Sequence, residues 1–216
     1  MLRVLDNVFS NASVDALRAF SEAHYRTSSS DTRFFVRGAP KKNLLEAALD
    51  SFLDAVGDSS AVVEYWRRGR WEHVQAHYDL DELLARRGRY AHPINGHVLY
   101  LDVGDLVVGP TALFWTDTSV PDGHHRHRLT TVPAVRGRVL RFNGSLLHAV
   151  PRPHDAWLLA ERGLVRGRER RYASHAPQSA ERRRDVILFN TWAGVPGGLQ
   201  PGEHSPLQLP VRPSST

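Results

Sequence analysis

Hydrophobic and polar positions divide the chain into two textures. Near the N-terminus, "LRVLDNVF" (2–9) alternates as a short strand, and Ser10 and Asn11 follow as helix-cap candidates. Val14, Leu17, Ala19 and Phe20 then fall at helical spacing, and "RFFVRG" reads as a second short strand closed by a Gly-Ala-Pro turn. From Asn43, the residues Leu45, Ala48, Leu49, Phe52 and Val56 form one apolar helical face that Gly57 ends. After Ser60 the period changes. "AVVEYW", "RWEHVQAHY", "GHVLYLDV", "TALFWTD", "RLTTVPAV", "GRVLRFNG", "LLHAVP" and "DVILFNTW" are short β-branched and aromatic runs separated by Gly, Pro, Asn and Asp. Such spacing predicts an antiparallel sandwich or barrel.

The expected fold is therefore mostly β with N-terminal helices (α+β), a jelly-roll, double-stranded β-helix (cupin-like) core with helices packed on one sheet. One domain is expected over 1–216: helical support over 1–60, the jelly-roll core over 61–192 and a tail over 193–216. Two regions interrupt the strands. "PDGHHRHR" (121–128) reads as a loop. Residues 152–183 form an insertion far longer than ordinary connections, a possible lid in which "HDAWLLAERG" has helical character.

Composition narrows the chemistry. The chain has 216 residues, no cysteine and a formal charge of +5. Disulfides, thiol nucleophiles and cysteine-type zinc sites are thereby excluded. No apolar run reaches the roughly 18 residues of a membrane span, and the N-terminus lacks the apolar stretch of a signal peptide, so a cytoplasmic location is expected. Arginine dominates the cations but is scattered, apart from a concentration at 162–184. This pattern fits a GC-rich bacterial coding bias, and nucleic acid is not an expected partner. Walker A, G-x-G-x-x-G, G-x-S-x-G and H-E-x-x-H motifs are all absent.

One H-x-D triplet, His77-Tyr78-Asp79, lies in "WEHVQAHYDLDE". Alone it carries little information, since short motifs of this kind arise by chance. On a strand, His77 and Asp79 share a face and Tyr78 points away. His148, at the end of "VLRFNGSLLH", is the candidate third ligand, because two histidines and one carboxylate make the facial triad of non-haem iron oxygenases. His73 would sit about 13 Å from His77 along the strand, too far for one ion. The cluster at 124–127 is read as surface loop histidines. Asp81 and Glu82 lie near the expected mouth, either to meet a cationic substrate or simply solvated. Tyr65, Trp66, Trp115, Asn143, Asn190 and Trp192 are strand residues that line a pocket or belong to the core. Arg184, the last cation before the apolar strand "DVILFNTW", is placed to clamp a carboxylate.

Taken in order, these segments resemble the Fe(II)/2-oxoglutarate-dependent dioxygenases, in particular the prolyl-hydroxylase-like branch. The opening "VLDNVFS", the H-x-D of "AHYDLDE", "HVLYLD", "GPTALF", "GRVLRFNGSLLHAVP" and "RDVILFNTW" carry the resemblance over most of residues 2–192. It implies iron(II) held by His77, Asp79 and His148, with 2-oxoglutarate and O2 as co-substrates. Tyr100 and Arg184 would bind the distal carboxylate of 2-oxoglutarate. In that branch the distal histidine and the clamp arginine usually lie close in sequence, whereas 36 positions separate His148 from Arg184. Arg152 is the alternative clamp. The implied reaction is oxidation of an unactivated C–H bond, by hydroxylation, desaturation or cyclisation. A small molecule such as an amino acid or specialised metabolite is the first expected substrate. A protein side chain is the second. A cupin-like metal protein that does not use 2-oxoglutarate and a non-catalytic binding module on a dioxygenase-like fold are the readings from other classes, and the intact triad argues against the latter. Asp79 as a ligand argues against halogenation, which needs that coordination position for chloride. Oligomeric state and substrate identity are not legible in the sequence.

Overall fold

The computed structural model describes residues 1–25, 32–104, 109–117, 126–151 and 183–198. Its elements are β1 (Leu2–Leu5), α1 (Asn11–His24), β2 (Arg33–Val36), α2 (Leu44–Ala55), β3 (Val62–Arg68), β4 (Val74–His77), α3 (Glu82–Ala85), β5 (Asn95–Val103), β6 (Thr111–Asp117), β7 (Arg126–Val132), β8 (Val139–Asn143), β9 (Leu147–Val150) and β10 (Arg184–Trp192).

Two antiparallel sheets hold these strands, in the orders β1-β8-β5-β10-β3-β2 and β4-β9-β6-β7. From β3 onward the chain passes repeatedly from one sheet to the other, which is the winding of a jelly roll. β1 and β2 extend the larger sheet at its two edges by pairing with β8 and β3.

Side chains alternate across that larger sheet. On β10, Ile187 and Phe189 face outward and join Val14, Leu17, Leu45, Leu49, Phe52 and Leu53 of the helices in one core. Val186, with Leu188 at the margin, faces inward and packs with Val98, Tyr100, Leu113, Leu140 and Phe142 between the sheets. Burying an aliphatic side chain such as fully enclosed Leu49 contributes about 1.5–3 kcal/mol.

Both long helices start where capping chemistry allows. Ser10 caps α1 through the Ser13 amide, and Asn43 caps α2 by accepting from Glu46 N at 2.9 Å. Glu46 then accepts from Tyr65 Oη at 2.8 Å, tying α2 to β3. Gly57, at φ +68°, takes the left-handed conformation that ends α2. Beneath the helices, Arg67 of β3 grips Asp185 of β10 bidentately, at 2.9 and 2.7 Å.

Local strand boundaries differ from the periodicity in two places. "RWEHVQAHY" becomes a strand only from Val74, because Trp71 leaves the ladder to enter the inner core. "VLRFNGSLLH" is two strands: Asn143 turns the chain by accepting from Ser145 N, and Gly144 lies so close to the Pro93 carbonyl that a Cβ would collide. The loop expected over 121–128 gives way to β7 at Arg126. Residues 118–125 and 152–182, including Arg152, lie outside the described residues. No described helix is long and apolar enough to cross a membrane.

Candidate metal centre

His77 and His148 are opposed residues of the paired strands β4 and β9. Their rings stand 4.3 Å apart between centroids. Asp79 lies two residues beyond His77, past the end of β4 rather than on it. Even so, Asp79 Oδ1 is 3.5 Å from His77 Nε2, and its Oδ2 is 3.7 Å from His148 Nε2. One donor atom from each of the three residues falls within a 4.8 Å cluster, small enough to surround one cation.

Each histidine is oriented by its own strand. His77 Nδ1 lies 2.8 Å from the Gln75 carbonyl and His148 Nδ1 lies 3.0 Å from that of Leu146, both two residues upstream. A carbonyl only accepts, so Nδ1 carries a proton and Nε2 is the ring nitrogen turned toward Asp79, the one available to a metal once it is deprotonated. This tautomer control is what ligating histidines require.

Charge is balanced accordingly. The Asp79 hydrogen bond raises the His77 pKa, while burial lowers that of His148. Burial pushes Asp79 up, but the His77 hydrogen bond and the His148 charge outweigh it and hold the carboxyl below its ordinary value. An ionised carboxylate beside two Nε2 donors is a hard-to-borderline donor set suited to Fe(II), Mn(II) or related divalent ions.

Neighbouring residues divide between structural and rim roles. Tyr78 points away, half exposed, with its ring edge-on to His92. His92 in turn anchors the Asp79 carbonyl through Nδ1 at 2.9 Å. His73 precedes β4 and hydrogen-bonds the Val150 carbonyl at the rim. Buried Asp81 caps α3 through Leu84 N and also accepts from Gly197 N, so its carboxylate is committed to structure. Exposed Glu82 pairs with Arg86 on the same short helix. Tyr65 faces α2, Asn143 serves its turn, and Trp115 Nε1 donates to Thr130.

A second polar site lies further along the interior. Arg184, 2% exposed, opens β10 on its inward face. Its Cζ lies 5.2 Å from the Tyr100 ring centroid, and Nη2 donates to Thr111 Oγ1 at 3.2 Å. Tyr100 Oη and Thr111 Oγ1 share a hydrogen bond of 2.9 Å. No described carboxylate pairs with Arg184, and its buried Nε has no partner among the described residues. The adjacent Asp185 points through the sheet to Arg67 instead. A desolvated guanidinium with unused donors is costly unless an anion meets it.

Thr111, Glu64 and Arg68 join this interior without a local signal in the sequence. Thr111 is brought in by the β5–β6 fold-over. Glu64 and Arg68 share the inward face of β3 with Trp66. Burial, with Asp79 nearby, pushes the Glu64 carboxyl up to about 7. Arg68, whose pKa burial lowers, contributes to the field at all three members of the His–Asp–His cluster.

Arg184 and Asn190 have the same parity on β10, and Asn190 hydrogen-bonds Asp79. The cluster and the Arg184 guanidinium therefore lie along the same inner face of the larger sheet.

Comparison with known proteins gives no matching family model and no matching curated protein. Among solved structures, the chain is similar to a prolyl-4-hydroxylase of Pseudomonas putida (14% identity, 88% of this chain and 84% of that one, TM-score 0.48). It is also similar to HygX of Streptomyces hygroscopicus, solved with nickel and 2-oxoglutarate bound (16% identity, 88% and 82% covered, TM-score 0.48). A third is a 2OG-Fe(II) oxygenase family oxidoreductase of Burkholderia pseudomallei (12% identity, 89% and 84% covered, TM-score 0.49).

Proposed function

We propose that the protein is an Fe(II)- and 2-oxoglutarate-dependent oxygenase that oxidises an unactivated C–H bond of a small molecule, such as an amino acid or specialised metabolite. The observation that carries this reading is a shared sheet face: a two-histidine, one-carboxylate cluster is hydrogen-bonded to Asn190, and a buried arginine whose Nε has no partner among the described residues stands on the same inward face of β10. A metal site alone is served by His77, Asp79 and His148. A dry guanidinium beside a tyrosine and a threonine hydroxyl adds the means to hold a dianionic co-substrate.

The donor set fits the ion, since both Nε2 atoms face Asp79, whose carboxyl is held below its ordinary pKa, and a bound ion would displace any proton on them. The Arg184 surroundings fit a carboxylate, since Arg184 Nε has no partner among the described residues and, with one hydroxyl proton spent on the Tyr100–Thr111 bond, the other hydroxyl is left to donate. When bound, iron(II) with 2-oxoglutarate and O2 supplies the oxidising equivalent, coupled to decarboxylation of 2-oxoglutarate to succinate. The chain's own part is position and exclusion of water. His77, Asp79 and His148 would hold the ion. Arg184, with a hydroxyl of the Tyr100–Thr111 pair, would hold the far carboxylate by charge-assisted hydrogen bonds. Val98, Leu113, Leu140 and Val186 keep the space between the sheets apolar.

The test is to supply Fe(II), 2-oxoglutarate and O2 and to measure succinate against O2 consumed. Metal-dependent succinate formation that disappears in Arg184→Gln is the expected result. A protein that binds metal but leaves 2-oxoglutarate unbound and unconsumed would instead be a cupin-like metal protein.

A further inference from the structure

β10 presents two polar side chains on its inward face, six residues apart. Arg184 is one and Asn190, 3% exposed, is the other. Asn190 Nδ2 donates to Asp79 Oδ2 at 3.1 Å. Directly opposite Asn190 on β3 stands Glu64, close enough for the Asn190 side chain to favour its ionised carboxylate. Glu64 Oε2 in turn accepts from Trp192 Nε1 at 3.0 Å. The Trp192 indole, Glu64, Asn190 and Asp79 thus stand next to one another in that order.

Polarity fixes the orientation of the Asn190 amide. An ionised carboxylate only accepts, and an indole N–H only donates. The amide nitrogen of Asn190 must therefore face Asp79, since a flipped amide would set its oxygen against the carboxylate. Asp79 needs such a partner. It sits past the end of β4, where no ladder hydrogen bonds constrain it, and the carbonyls that orient His77 and His148 have no counterpart for a carboxylate side chain. His92 fixes the Asp79 main chain, and Asn190 fixes its carboxylate.

We propose that Asn190 is the positioning residue for the metal-ligating carboxylate. It occupies Oδ2 and leaves Oδ1 as the freer donor for the ion, while Glu64 and Trp192 hold the amide in that pose. This inference rests on the metal-site reading above, but not on any co-substrate.

The test uses Mn(II) alone, titrated into the full chain and followed by the resonance signal of free Mn(II). Removing an outer partner of a metal ligand typically weakens binding 10–100-fold, and Asn190→Ala is expected to fall in that range. Leu188→Ala, on the same face of the same strand, is expected to lower the thermal midpoint without weakening Mn(II) binding. Glu64→Ala should weaken binding by a smaller factor. Glu64→Gln should restore most of it, because its amide oxygen still accepts from the indole. The Co(II)-loaded visible spectrum should shift in Asn190→Ala but not in Leu188→Ala.

Mn(II) affinity of Asn190→Ala within threefold of the unaltered protein overturns the proposal, as does an equal loss in Leu188→Ala. If Asn190→Ala does not fold, the Glu64 pair decides: affinity restored by Gln supports the relay, and two equal variants overturn it. Failure of the unaltered protein to bind Mn(II) would instead sink the metal-site reading itself.

Discussion

His77 and His148 face each other across two paired strands, each with Nδ1 turned back to the carbonyl two residues upstream and Nε2 turned toward Asp79. Strand register therefore places the two histidines, and the segment just past β4 brings Asp79 to them. Removing either ring deletes one of three donors. His77→Ala and His148→Ala should each lose Mn(II) affinity by more than the 10–100-fold expected for an outer-shell partner, with the apo thermal midpoint nearly unchanged for half-exposed His77. Equilibrium titration with Mn(II) checks this, and unaltered affinity in either variant would count against the assignment.

Arg184 makes a separable prediction. A hydrogen bond to a charged group contributes about 1.5–3 kcal/mol, so Arg184→Gln should weaken 2-oxoglutarate binding roughly 10- to 150-fold. Mn(II) binding in the absence of 2-oxoglutarate should not change. Calorimetry with the Mn(II)-loaded protein distinguishes the two. Arg184→Lys should recover only part of the loss, because a point charge does not reproduce the guanidinium fork.

Stability should carry a specific acid dependence from His97. This residue is 2% exposed and stacks on Phe189 with rings 6° from parallel; burial lowers its pKa to about 3. The unfolded chain binds a proton near the ordinary value of 6.5, and the folded chain does not bind it until about pH 3. Below about pH 6.5 the unfolded state therefore holds the extra proton, and stability falls as pH falls, by up to about 1.4 kcal/mol per pH unit from this group. Above pH 6.5 its contribution is flat. Urea unfolding at pH 7, 6 and 5 should show this slope, and His97→Leu should remove about one proton's share of it.

The buried Arg67–Asp185 pair predicts an asymmetric mutational cost. Arg67→Ala strands a carboxylate that is almost wholly buried, and burial already raises its pKa. A loss of about 3–5 kcal/mol is expected by chemical denaturation. The double change Arg67→Met with Asp185→Leu should be much milder, since no charge is left unpaired.

Much of this architecture is legible locally. All eight apolar segments after Ser60 contain or overlap a strand, because alternation and turn residues act within a few positions of each other. The two N-terminal helices follow from their apolar faces and their Ser10 and Asn43 caps. Less legible is what depends on register between distant strands. The inward parity of Arg184 also places Asn190 inside, but its contact with Asp79 spans 111 positions and is decided by how the two sheets face each other. Thr111 is an ordinary strand threonine until β6 brings it against Tyr100. Asp79 departs from the strand on which its spacing with His77 suggested it would lie, yet it reaches the same cluster because His92 holds its main chain.

The placement of Arg184 and Asn190 on one face of β10 limits how this strand can vary. Side chains alternate faces at every residue, so deleting or inserting a single residue between them would keep one inside and turn the other out toward the helices. Only length changes by even numbers preserve the parity of both, and even those move Arg184 by about 7 Å per pair of residues relative to the His77–Asp79–His148 cluster. The nine-residue strand thus acts as a ruler. Among relatives of this chain, the interval between these two positions should be held constant while the flanking connections vary freely in length.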